Sequence, residues 1–228
     1  YQLSYPDETI SQLSPQECTK LKREGLYICM IKNPNPVAKN VTPHIRDAEF
    51  IREKVPMTKE EIRHVSICKL HLKSDSVLYD VGSGTGSIAV EAASLSDDME
   101  VYAIEQKENA VQLITQNKEK HRLENIHVIN AKAPDGMDNL PVPTHAFIGG
   151  SGGNLKEIIE ALKAKSPHIR IVINAISMET ICEIKEILSA YDVKNEDIVQ
   201  LQVSRSKQIG HYHLMQAENP VWICSFEF

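Results

Sequence analysis

The sequence contains no run of five or more like charges and no apolar stretch long enough to span a bilayer. Without a charge block, an extended grip on a phosphate backbone is not expected; the densest basic patches are only Lys20–Arg23 and Arg205–Lys207. Without a long apolar run, no spanning helix is expected, and nothing reads as a signal peptide. The chain therefore reads as cytoplasmic, binding neither nucleic acid nor membrane. The five cysteines are scattered with no CxxC pair, which points to buried free thiols rather than a zinc site or a disulfide framework. Among nine histidines, only His211 and His213 show ligand-like spacing, and no third ligand accompanies them. No metal site is expected. The chain also opens at Tyr1, in mid-pattern and without an initiator methionine, as an excised domain would.

What is present is ample core material. With 228 residues, 42% of them hydrophobic, the chain can bury one large core with or without an appendage. Residues 1–40 stand apart: a turn at YPDETI, a helix start at SPQEC, a short apolar strand at GLYICMI, then the breaker KNPNPVAKN. Forty residues cannot easily hold a core of their own. Residues 41–57 read as extended linker with Pro43 and Pro56, and TKEEIRHVSICKL (58–70) as an N-capped helix opened by Thr58.

From there strands and helices alternate. Strands are expected at 76–81, 100–105, 126–131, 145–150 and 170–176, with helices at 86–95, 108–121, 154–165 and 178–191. Near-continuous Val/Ile strands between helices imply a parallel sheet covered on both faces. Two closing strands, DIVQLQVSRSK and NPVWICSFEF, have no helix between them and imply an antiparallel hairpin at one edge, joined by an irregular arm.

The first expected strand runs into a glycine turn, YDVGSGTGSIAVEAA. Gly82, Gly84 and Gly86 let the chain bend sharply and let a ligand approach bare backbone, and the helix start that follows offers unpaired N–H groups. Glu105 ends the next strand, 19 residues beyond Gly86, where a carboxylate can accept bonds from ribose hydroxyls. A dinucleotide-binding turn would carry a third glycine at Ser87, and Asp80 would repel a pyrophosphate while suiting the ammonium of an amino-acid moiety. The pattern D-x-G-x-G-x-G resembles class I S-adenosylmethionine-dependent methyltransferases, a seven-stranded, mostly parallel α/β sheet. A dinucleotide enzyme is the alternative at this loop, and a turn shaped for packing alone is the plainer one.

A second glycine loop, FIGGSGGNLKEII, follows the fourth strand with Gly149, Gly150, Ser151, Gly152 and Gly153. Ligands of open parallel sheets gather outside the carboxyl ends of the strands, so this loop should flank the first across one cleft. It lacks the Asn/Asp-Pro-Pro-aromatic segment that base-methylating enzymes often carry there. Bare backbone N–H groups suit instead a bulky acceptor with several carboxylates; a plain tight turn is the alternative.

Together DAEFIREKVPMTKEEIR, YDVGSGTGSIAVEAA, AKAPDGM, FIGGSGGNL, INAISMET and QAENPVWI resemble the C15-methylating, decarboxylating precorrin methyltransferases of cobalamin (vitamin B12) biosynthesis. In two-headed proteins these form the C-terminal half of precorrin-6Y C5,15-methyltransferase. The resemblance spans about residues 47–228, and residues 1–40 resemble the tail of the C5-methylating half. It implies S-adenosyl-L-methionine as cofactor, a tetrapyrrole substrate, loss of CO2 from the C12 acetate and a homotetramer. It also implies cofactor contacts at Thr58, Asp80, Gly82, Ser83, Gly84, Thr85, Gly86, Glu105 and Ala133, and substrate contacts at Gly149, Gly150, Ser151, Gly152 and Gly153. Lys132 departs from the pattern, because relatives usually carry Asp before that alanine; an adenine contact there would fall to backbone groups. Arg205, Lys207 and one of His211, Tyr212 or His213 are further candidates to face the substrate. An RNA or protein methyltransferase of the same fold is the rival reading.

Overall fold

The computed structural model describes residues 6–22, 24–25, 28–34 and 42–228, and the chain divides into two units, 1–38 and 39–228. In the first unit a single helical turn, α1 (Pro15–Cys18), starts at the expected SPQEC. Ser14 and Glu17 cap it reciprocally: the Glu17 amide donates to the Ser14 hydroxyl, and the Ser14 amide donates to the Glu17 carboxylate. The strand expected at GLYICMI does not form over its described residues 28–31; Leu26 and Tyr27 lie outside the described residues. No neighbouring strand of this unit is there to pair with it among the described residues.

The second unit is a layered α/β fold. In chain order it comprises α2 (Glu60–Leu70), β1 (Val77–Val81), α3 (Ser87–Ala93), β2 (Glu100–Glu105), α4 (Glu108–Lys120), β3 (Ile126–Asn130), β4 (His145–Ile148) and α5 (Leu155–Lys165). Then follow β5 (Arg170–Ala175), α6 (Met178–Ala190), β6 (Lys194–Leu201), β7 (Ser204–Ile209), β8 (Tyr212–Ala217) and β9 (Val221–Glu227). Seven strands form one sheet in the order β3-β2-β1-β4-β5-β9-β6. Neighbours from β3 to β5 pair in parallel, and β9 runs antiparallel between β5 and β6. The Val/Ile runs behave as expected: β4 is buried at every position, whereas edge strand β6 keeps only alternate residues partly covered.

Four further sequence expectations are corrected. The arm between the closing strands is regular, with β7 and β8 forming a separate antiparallel ribbon. The cysteines are free, but only Cys224 is buried, and that burial pushes its thiol up to about 12. The segment before α2 is no loose linker, since Ile45 and Phe50 enter the core and Asp47–Glu49 form a 3-10 turn. Helix α2 has Lys59 at its N-cap with no side-chain cap, so Thr58 does not start the helix.

Candidate active site

The strand order reverses between β1 and β4, and the loops beyond their carboxyl ends meet there, as open α/β sheets arrange their ligand sites. A cleft of about 630 Å³ opens at this point, a size common for small-molecule sites. Both glycine loops line it: Gly82, Ser83 and Gly84 from the first, Gly149, Gly150, Ser151 and Gly152 from the second. The two loops touch backbone to backbone. A Cβ placed on Gly82 would stand 2.3 Å from the Gly150 carbonyl oxygen, so a side chain at position 82 is sterically excluded. Gly82 also sits at φ +70, where glycine alone is unstrained.

Thr58, Glu105 and Ala133 line the same cleft. Glu105 ends β2 and is nearly buried, held from below by two amides: Gly84 N–H donates to Oε2 at 3.0 Å and Lys107 N–H to Oε1 at 2.9 Å. Each oxygen keeps further lone pairs for a ligand, and the carboxylate is already oriented before one arrives. Replacing Glu105 with Gln should weaken cofactor binding roughly tenfold or more, because a charge-assisted acceptor becomes a neutral amide. Calorimetric titration with S-adenosylhomocysteine measures this.

Other expected cofactor residues stand behind the turn rather than in the cleft. Asp80 is buried; its Oδ2 accepts from the Ser83 hydroxyl at 2.6 Å and from Ala89 N–H at 3.1 Å, so it braces the loop onto α3. Its Oδ1 has no hydrogen-bond partner among the described residues, and burial pushes the carboxyl up to about 7 despite the two hydrogen bonds. A raised folded-state value means the stability associated with the neutral acid is present below the ordinary carboxylate range and is lost as pH rises through about 7. Asp80→Asn, neutral throughout, should therefore become more stable relative to the parent chain between pH 5 and 8. Melting temperatures across that range test the sign.

Thr85 is fully buried, its carbonyl accepting from Asn117 Nδ2 at 2.9 Å. Gly86 lies at φ +79, with Ile114 of α4 3.1 Å from where its Cβ would be, so it serves close helix packing. Gly153 sits in the loop but outside the cleft lining. Lys132 is exposed, lines the cleft and has no ion pair among the described residues. Arg205 is committed elsewhere: it pairs with Glu61, with Glu218 at 3.4 Å and with Asp47 at 3.8 Å. Lys207, Tyr212 and His213 lie on the exposed ribbon, and His211 in the turn joining its strands.

Sequence reading missed the buried polar residues that tie the rim down, Arg63, Glu91 and Asn117, as well as the far wall. There Asn174, Ile176, Ser177, Thr180 and Asn219 close the cleft. Ser177 caps α6, accepting from Thr180 N–H at 3.3 Å. Its place just before the METICEIKEIL run was the available signal.

The strand order, the glycine turn and the acid ending β2 define the class I S-adenosylmethionine-dependent methyltransferase fold. Residues 49–227 match the model of the precorrin methyltransferase domain. The chain belongs to the precorrin methyltransferase family. It is 38% identical over 185 residues to a probable cobalt-precorrin-6B C(15)-methyltransferase (decarboxylating) from Pyrobaculum calidifontis, covering 80% of this chain and 94% of that protein. Among solved structures, it resembles a precorrin-6y C5,15-methyltransferase from Geobacter metallireducens at TM-score 0.78 and 33% identity, covering 84% of this chain and all of that one. A precorrin 8w decarboxylase from Methanobacterium thermoautotrophicum matches at TM-score 0.75 and 32% identity, covering 80% and 98%.

Proposed function

We propose that this protein methylates a precorrin at C15 and removes the C12 acetate carboxylate as CO2, in cobalamin biosynthesis. The observation that carries the reading is the meeting of two glycine-rich loops in one cleft, one beside a fixed carboxylate and the other open. A Cβ on Gly150 would meet nothing within 4 Å, so the second loop leaves room where the first is closed by contact.

The residues present fit S-adenosylmethionine. Glu105 would accept from ribose hydroxyls, the Ala133 segment would border the adenine, and the Gly82–Gly84 backbone would take the amino-acid part under the Thr58 rim. When bound, the cofactor supplies a methyl group already activated on a sulfonium. The protein's task is then alignment, and fixed proximity of two reactants lowers a barrier by roughly 7–11 kcal/mol. No acid–base pair is assigned a step here: the Glu105 oxygens already accept from backbone amides, Asp80 braces the turn, and Glu218, which also lines the cleft, is paired with Arg205. An electron-rich ring carbon needs none to accept a methyl group. In decarboxylation, the electron pair of the breaking carbon–carbon bond enters the conjugated macrocycle. Ile176, Ser177 and Asn219 form an exposed rim along which a macrocycle can extend beyond the cleft.

The same reading places the protein in the cytoplasm as a homotetramer, with residues 1–40 as the tail of a C5-methylating domain in a longer chain. Apolar Ile209, Leu214 and Met215, exposed on the ribbon, favour self-association. Incubation with S-adenosylmethionine and a precorrin-6-type substrate, followed by mass spectrometry, tests the activity. One methyl gained and one CO2 lost is the expected product; an unmodified tetrapyrrole beside methylated RNA would replace this reading with its rival.

A further inference from the structure

The segment from Thr42 to Thr58 ends in four residues, Val55–Thr58, that line the cleft, yet apart from one 3-10 turn it belongs to no helix or sheet. Its backbone groups must find partners elsewhere. Four of them find the same pair of side chains. Glu91 of α3 accepts from His44 N–H at 2.7 Å and Ile45 N–H at 3.2 Å. Arg63 of α2 donates to the Ile45 carbonyl and, at 2.8 Å, to the Thr58 carbonyl. Arg63 and Glu91 bind each other through Nε and Oε2 at 3.0 Å, and both side chains are 0% exposed. Asp47 closes the set, 3.1 Å from Arg63, and the guanidinium lies over the Phe50 ring. Asn117 adds a second tether, exchanging bonds with both the amide and the carbonyl of Ile51 while holding the Thr85 carbonyl.

A buried ion pair is a poor source of net stability, since desolvation offsets most of the attraction. What it supplies here is placement. Glu91 stands one turn along α3 from Ser87, the first residue after the glycine turn, and the Ser87 hydroxyl reaches the Thr58 carbonyl at 3.5 Å. At the far end of the strap the Pro56 carbonyl rests on the turn itself, 3.0 Å from where a Gly84 Cβ would be. The helix that carries the turn therefore also carries the anchor of the rim above it.

We propose that Arg63 and Glu91 are positioning residues for the reaction: their pair sets the Val55–Thr58 rim against the Gly82–Gly84 turn and thereby fixes cofactor affinity. This rests on the methyltransferase reading of the same cleft. Neither residue touches the reacting atoms, so the pair should govern how tightly the cofactor is held rather than the rate once it is bound.

Arg63→Met is expected to weaken S-adenosylhomocysteine binding at least tenfold and to raise the KM for S-adenosylmethionine similarly. Its kcat at saturating cofactor should stay within about threefold of the parent value. Arg63→Lys, keeping the charge but not the fork, should recover part of the affinity. Unchanged affinity with only a lowered melting temperature would overturn the proposal, as would a fall in kcat with KM constant. Should Arg63→Met fail to fold, Asp47→Asn probes the same guanidinium from its partly exposed side. Hydrogen exchange on the unaltered protein gives an independent reading. The His44 and Ile45 amides should slow together with Gly84 when S-adenosylhomocysteine is added, and no slowing there would count against the pair. If the unaltered protein binds no S-adenosylhomocysteine at all, it is the methyltransferase reading that fails.

Discussion

Gly82→Ala is expected to cost at least 100-fold in both S-adenosylhomocysteine affinity and turnover, a loss of about 2.7 kcal/mol or more. The added methyl would lie 2.3 Å from the Gly150 oxygen, 2.9 Å from its nitrogen and 3.0 Å from its carbonyl carbon. All three are backbone atoms of the opposing loop, so no rotamer can relieve the clash. The left-handed backbone adds roughly 1–2 kcal/mol of strain for any residue with a Cβ. Gly82 N–H also donates to the Ile104 carbonyl at 2.9 Å, which ties the turn to the end of β2. Separating the loops would therefore disturb the seat of Glu105 as well as the floor of the cleft. Calorimetry with S-adenosylhomocysteine and a single-substrate rate assay measure the two losses; an affinity within twofold of the parent would refute the contact's importance.

Gly150→Leu should behave in the opposite way, although the two residues touch. The built Cβ at 150 meets nothing within 4 Å, and the backbone there is not left-handed, so the fold tolerates a side chain. On the proposed reading, that side chain takes up space the acceptor needs. Tetrapyrrole turnover should drop roughly 100-fold or more while S-adenosylhomocysteine affinity changes less than about threefold, a selective loss of transition-state binding. Gly152 makes a poorer test, since its φ of +59 would strain any replacement whatever the ligand. Equal loss of cofactor binding and turnover in Gly150→Leu would contradict the division of labour between the loops.

Much of this arrangement was readable from the chain because its signals are local. Val/Ile-rich runs of four to six residues set between helical stretches give the parallel strands, and an acid at the end of the second strand needs no tertiary knowledge to find. The rim escaped because its partners are distant in sequence: Arg63 meets Glu91, and Asn117 meets Ile51 and Thr85. No periodicity announces such pairs. Glu91 in particular sits in an alanine-rich helix that is buried all round, where a lone acid reads as the polar face. The ribbon was hidden for another reason. SRSKQI carries no alternation of apolar and polar residues, since neither of its faces enters the core, so its SRSK read as the end of the preceding strand and the rest as an irregular arm. Lys59 escaped notice as the helix start because it lends no side-chain cap.

Gly86 and Asp80 teach a related lesson. Both belong to the glycine signature, yet one makes room for Ile114 and the other braces the turn from beneath. A signature can thus mark a family while its members divide between lining a cleft and shaping the loop that lines it.

The most direct test is a crystal structure of the protein with S-adenosylhomocysteine and a precorrin-type tetrapyrrole bound together. The ribose hydroxyls should lie within hydrogen-bonding distance of Glu105, and the macrocycle should cover Gly149–Gly152 and extend along Ile176 and Asn219. Nucleoside away from Glu105, or a macrocycle seated on another face of the molecule, would contradict the account.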